Sequence, residues 1–112
     1  MRGSVMEYKI VFEYVYSFYS FGEELETKIG SEEFSVGCRF KLDGQEDGSF
    51  VIDPVKEDNL GAYAILTFPN KDRMIVREGE SCEFLYDEFF DAMGDSNHNV
   101  YVGAVSLKSV KL

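Results

Sequence analysis

Residues 31–43 read SEEFSVGCRFKLD. Phe34, Val36, Cys38, Phe40 and Leu42 are apolar at every second position, while Glu33, Ser35, Gly37, Arg39, Lys41 and Asp43 fill the gaps. Such a period of two marks a strand with one buried and one wet face. A strand of this kind needs partners, and the rest of the chain supplies them. The expected fold is all-β: a small antiparallel or mixed barrel of six to seven strands, with at most one short helical turn.

Upstream, Tyr8 to Phe21 (YKIVFEYVYSFYSF) is a long aromatic strand. Tyr8, Ile10, Phe12, Tyr14, Tyr16 and Phe18 share one face; Val11 and Val15 interrupt Lys9, Glu13 and Ser17 on the other. A strand apolar on both faces is covered twice, as in a curved barrel, or leaves a patch open for a partner. Residues 22–33 are acidic with few anchors, and read as a loop or a short strand through Leu25–Ile29. Downstream, Asp43–Gly48 is a hairpin connection and Phe50–Ile52 a short strand stopped by Pro54. Lys56–Gly61 is a turn, Ala62–Phe68 an alternating strand, and Arg73–Val76 and Ser81–Tyr86 are further strands. Asp87–Gly94 (DEFFDAMG) is the one stretch with helical spacing, Asp87 as cap, Phe89 and Met93 at i, i+4, and Gly94 as stop. Asp95–Asn99 reads as an exposed turn. Val100–Leu107 closes the set, with Gly103 marking a bulge or a close backbone approach, and its phase slips near Ser109.

The chain has 112 residues, enough for one domain with a real core. Residues 1–5 (MRGSV) read as an added leader ahead of a natural start at Met6, leaving 6–112 as a single β-barrel domain. No apolar run reaches the roughly 18 residues of a membrane helix, and the N-terminus lacks a secretory pattern. Cys38 and Cys82 both fall on apolar strand faces and read as packed thiols, too few for a disulfide framework. These features point to the cytoplasm.

Charge is the strongest bulk signal: 21 Asp+Glu against 11 Lys+Arg give a net charge of -10. Such a surface repels phosphate backbones, which excludes nucleic acid as the expected partner. It has two readings, solubility alone or steering toward a basic protein. Catalytic chemistry is hard to assemble. The single histidine, His98, sits in a polar stretch, and no Ser or Cys has an activating context. Asp95-x-Asn97-x-Asn99 opens like a calcium loop, but its sixth position is Val100 and its twelfth Ser106, which ends the comparison. No metal or cofactor is expected, and the chain is read as a non-enzyme.

Several features in order resemble the C-terminal β-barrel domain of elongation factor Tu and its small stand-alone relatives. They are Phe21-Gly-Glu-Glu24, the strand Phe34–Leu42, the strand Ala62–Phe68, Val76-Arg-Glu-Gly79 and Val102-Gly-Ala-Val105. The chain departs from that pattern by an insertion, Tyr86–Asn99, and by the second glycine of the last strand, which is replaced by Val105 or absent, depending on register. The resemblance implies a six-stranded closed barrel. It brings neither GTP binding, which belongs to a separate domain, nor tRNA binding.

The functional expectation is therefore a non-catalytic protein-binding module, of the kind an acidic immunity-type inhibitor presents to a basic toxin nuclease. Tyrosines amid carboxylates combine anchoring with steering, so the candidate partner-binding residues are Tyr16, Tyr19, Glu23, Glu24, Asp87, Glu88 and Asp91. The alternative is a small-ligand-binding barrel or degenerate enzyme whose first-strand aromatics line a cavity.

Overall fold

A computed structural model describes residues 6–46, 48–92 and 94–111 (92 and 95 by backbone only). Among these residues every regular element is a strand: β1 Met6–Ser20, β2 Glu23–Ser35, β3 Arg39–Phe40, β4 Phe50–Ile52, β5 Lys56–Asp58, β6 Gly61–Thr67, β7 Arg73–Arg77, β8 Ser81–Ala92 and β9 Asp95–Lys111. No described helix is long and apolar enough to cross a membrane. The all-β class agrees with the alternating pattern. The strands exceed the six or seven expected because several are pieces of two or three residues.

Two antiparallel sheets result. The first has the order β2-β1-β9-β8; the second runs β3-β4-β6-β5, with β7 on the other side of β6. They are stitched together at one end. On one side Val36 N–H donates to Tyr8 O and Ile52 N–H to Cys38 O; on the other Gly79 N–H donates to Leu107 O. This end is a barrel-like body with its edges paired away.

The two sheets differ greatly in length. At about 3.3 Å per residue, the 17-residue β9 accounts for most of the 60 Å long axis, against 23 Å in the other two directions. The second sheet has no strand longer than seven residues, so it covers less than half of the first. The remainder overhangs as a four-stranded blade. The radius of gyration, 16.0 Å, exceeds the roughly 13 Å of a spherical chain of this size.

Residues 31–43 keep their alternation through this geometry. Phe34, Val36 and Cys38 pack against the core, and Phe40 and Leu42 are buried, while their odd-numbered neighbours face water. The stretch is not one strand, however. It leaves the first sheet at Ser35 and joins the second at Arg39, turning at Gly37, whose φ of +89° strongly favours glycine. Inside the body the even-numbered side chains of β1 meet the second sheet. Phe12 is fully buried and lies 4.9–5.9 Å, edge-on, from Phe34, Phe40, Phe50 and Phe84. Each such ring contributes roughly 1.5–3 kcal/mol through removal from water. The first-strand aromatics fill the body with side chains.

Five local expectations change. The turn read over Lys56–Gly61 begins with the short strand β5, paired to β6 from Lys56↔Tyr63 to Asp58↔Gly61. Residues 23–35 form a full edge strand; they gave no alternation because nothing packs on either side of residues 23–29, all of which are exposed. Asp87–Gly94 is not helical. Pairing with β9 from Ser81↔Ser106 to Ala92↔Asp95 extends β8 through it, and Gly94 (φ +83°) serves the hairpin turn; Met93 lies outside the described residues. Asp95–Asn99 is the start of β9, with Asn97 and Asn99 buried. At the other end β9 stays in register with β1 as far as Lys111↔Met6, without a break at Ser109. Cys38 and Cys82 are free and half-buried, and burial pushes the Cys38 thiol up.

Candidate interaction surface

Register decides what the blade shows. Val15 pairs with Ile29 of β2 and with Val102 of β9, and Val102 pairs with Leu85 of β8. Paired residues share a face, so Ile29–Val15–Val102–Leu85 forms one apolar row across all four strands. The row faces away from the core: Ile29 is 83% exposed, Leu85 65%, Val102 44% and Val15 41%. Val11, the other apolar interruption of β1, is buried instead.

The row floors an open groove of about 970 Å³ that also touches Glu13 and Glu83. Directly behind it the backbone is tight. In the adjacent row Gly30–Tyr14–Gly103, a Cβ on Gly30 would sit 2.7 Å from the Tyr14 ring. One on Gly103 would overlap the Glu13 carbonyl oxygen. The two glycines let strands and ring approach on the inner side at the level where the groove opens on the outer side.

Two rows further toward the tip, Glu24 pairs with Tyr19, Tyr19 with His98, and His98 with Phe89. The rings stack, Tyr19–His98 at 5.1 Å and Phe89–His98 at 4.7 Å between centroids, and His98 Nε2 lies 3.8 Å from Asp87 Oδ1. Phe89 and the hairpin residue Phe21 are largely exposed, and Phe21 adopts a φ of +54°, a left-handed conformation uncommon for an aromatic residue. From Glu13 to the tip this outer face carries Glu13, Glu24, Glu83, Asp87 and Asp91 and, among the described residues, no Lys or Arg. Its two lysines, Lys9 and Lys108, face each other at the opposite end.

Of the seven residues named from sequence, Tyr19, Glu24, Asp87 and Asp91 gather on this outer face, and Glu23 stands at the hairpin beside it, paired with Ser20. Tyr16 and Glu88 do not join them; each is at least nine-tenths buried on the inner face. There Tyr16 Oη donates to Asn99 Oδ1 (3.0 Å), and Asn99 Nδ2 donates to Gly44 O (2.9 Å) and to Glu88 Oε2 (3.2 Å). Glu88 Oε2 also accepts the Glu46 N–H at 3.0 Å. This network holds the 42–46 loop over the blade's inner face. Burial first, then Glu26 and Glu88, push the Tyr16 hydroxyl up to about 12, and burial followed by Glu88 raises Tyr101. Tyr16 so held stays neutral and acts as a donor, not as a base. No described group of three His, Cys, Asp or Glu side chains is placed to hold a metal.

The apolar row itself was missed. Its one sequence trace was the pair of valines on the polar face of β1; the other members become neighbours only through register. Neither a family model, nor a curated protein, nor a solved structure matches the chain.

Proposed function

We propose that the chain is a non-catalytic protein-binding module that offers the outer face of its blade to a basic partner. The observation that carries this reading is the exposed row Ile29–Val15–Val102–Leu85, set among carboxylates with no Lys or Arg from Glu13 to the tip among the described residues. A contiguous apolar stripe on a sheet face is costly to leave wet, and partners of such surfaces bury it. The carboxylates around it would steer and select a cationic surface, while the stripe and the Tyr19–His98–Phe89 stack would supply anchors. In this role the chain acts as a cover, as an immunity-type inhibitor covers a basic nuclease. The packed rings around Phe12 favour it over a ligand-binding barrel. We extend the likeness to the elongation factor Tu barrel to the body alone, and it brings no activity with it.

A photo-crosslinking side chain placed at Val15 or at Leu85, with Ile75 on the second sheet as control, tests the proposal in native extract. A single basic protein should be captured at the first two positions and not at Ile75. Capture should weaken with added salt and disappear on the background of Val15→Asp for the Leu85 probe. Equal capture at Ile75, or indifference to Val15→Asp, refutes it.

A further inference from the structure

The outer face ends at β2. Among the described residues it is the terminal strand of its sheet over all of Glu23–Ser35, so one row of its backbone N–H and C=O groups is open to pairing. The apolar row stops there too, at Ile29, the most exposed large hydrophobic residue among those described. The strand carries Glu23, Glu24, Glu26, Glu32 and Glu33 against Lys28 alone, and Lys28 already lies 3.9 Å from carboxylates of both Glu26 and Asp43.

We infer that β2 is a docking edge for a basic extended segment of the partner, which adds to the sheet as a fifth strand beside Ile29. The inference rests on the protein-binding reading above and names the partner's chemistry. In strand addition the main chain supplies affinity and alternate side chains supply specificity. The positions of the glutamates set the pattern. An antiparallel strand with an apolar residue opposite Ile29 places its residues three before and three after that centre opposite Glu32 and Glu26. Both belong to the inner face, whereas Glu33, one residue further, belongs to the outer one. A cation at each of those positions meets a carboxylate, and the central apolar residue lengthens the row on the outer face.

The same geometry rejects a second copy of this chain as the occupant. A twofold pairing of β2 with itself centred on Ile29 sets Glu26 of each copy directly across from Glu32 of the other. Like charges in directly opposed positions are destabilising, and each copy brings a net charge of -10. Acidic side chains along an open edge are a known guard against self-pairing; they leave a basic strand admissible.

The probe is the peptide acetyl-Lys-Lys-Val-Thr-Val-Thr-Val-Lys-Lys-amide, with its two threonines replaced by proline as a control of equal charge that cannot form a strand. The full chain is titrated with each, and amide exchange is read by NMR. The first peptide should bind at least tenfold more tightly than the proline form. It should slow exchange at least tenfold at alternate amides of β2, and lose affinity with salt and in Glu26→Lys/Glu32→Lys. Equal binding of the two peptides, protection on β8 in place of β2, or unchanged binding to the Lys variant overturns the inference. Its failure is separable from that of the parent reading. If the peptide fails while Val15→Asp still abolishes capture of the partner at Leu85, the edge assignment falls and the face remains. If the peptide binds as expected while capture ignores Val15→Asp, the edge stands and the face reading falls.

Discussion

Gly103→Ala tests the backbone arrangement on which the groove depends. Gly103 sits in the middle of β9, between Tyr14 of β1 and Phe84 of β8. A methyl group there would overlap the Glu13 carbonyl oxygen, lie 2.6 Å from Tyr14 Cα and 3.0 Å from Glu13 C. All three obstacles are backbone, so no rotamer change relieves them; the two central strands have to separate. Overpacking a well-filled site costs roughly 1–3 kcal/mol, and an obstacle that cannot swing aside puts this one at or above the top of that range. Alanine recovers about 0.5–1 kcal/mol, because glycine loses more chain freedom on folding. The net expectation is a loss of about 2–3 kcal/mol. For a chain of this length that corresponds to a fall in Tm of about 8–12 °C, and urea unfolding followed by circular dichroism should give the same difference through the midpoint. Gly37→Ala separates the causes. It has a φ of +89° with nothing within 4 Å of the added carbon, so it carries conformational strain without overlap and should cost about 1–2 kcal/mol. A Gly103→Ala protein that melts within 2 °C of wild type, or more stably, would refute the close approach of β1 and β9 and with it the origin of the groove.

Three other outcomes follow from the polar contacts. Asn99→Ala should cost about 2–3 kcal/mol in urea unfolding, because the buried Tyr16 hydroxyl and the part-buried Gly44 carbonyl lose their partner together; a loss below 1 kcal/mol would mean that water replaces the amide freely. Tyr16, held neutral up to about 12 in the fold, ionises near 10 once unfolded, so its contribution is complete below pH 10 and fades as pH climbs from 10 toward 12. Ultraviolet titration should show a class of tyrosines that ionises only with unfolding, and Tyr16→Phe should flatten the alkaline loss. Asp58 accepts both Arg77 terminal nitrogens at 2.8 and 2.9 Å, and its carboxyl is held down at about 2. Its stabilisation is present above the ordinary carboxylate range and lost as pH falls from about 4 through 2, so the gap between the midpoints of wild type and Asp58→Asn should shrink steadily over that range and close below pH 2; a gap that does not shrink between pH 4 and 2 contradicts the ion pair.

How much of this was legible in the sequence depends on what each signal needs. The alternation of residues 31–42 survived intact because it reports only which side chains face the core, and the core lies on the same side before and after Gly37. For the same reason it did not reveal that the chain changes sheets there. Asp87–Gly94 carried helical spacing in Phe89 and Met93, but Phe84, Tyr86, Glu88 and Phe90 also alternate with Leu85, Asp87 and Phe89 as a strand requires. The contest was settled by β9, which pairs along the whole segment. Asn97 and Asn99 read as a surface turn because polar residues usually are; the partners that make Asn99 a buried hub, Tyr16 and Gly44, lie 83 and 55 residues away. Residues 23–29 showed no pattern because the 42–46 loop covers the central strands of the blade and leaves this stretch of the edge strand exposed on both faces, with no buried side to impose one.

The outer row was invisible for a deeper reason, and that reason ties the surface to the core. Val15, Ile29, Leu85 and Val102 are neighbours only in one register of three strand pairings. A slip of one residue in any pairing turns the slipped strand's members of the row toward the core. A slip of β9 on β1 would carry Tyr16 off Tyr101, whose rings now stack at 4.8 Å; a slip of β8 would separate Phe84 from Phe12, and a slip of β2 would move Phe34 off Phe12. The aromatic core therefore selects the register, and the register assembles the exposed row as a consequence. Substitutions that weaken the core without unfolding it, such as Phe84→Leu, should blur the outer row through register exchange. Charges placed on the row itself, as in Leu85→Asp, should leave stability within about 0.5 kcal/mol. A blade built this way can lose or change its partner by surface substitution while the inner pairings stay fixed, and the surface can be moved across the sheet only by rebuilding the core beneath it.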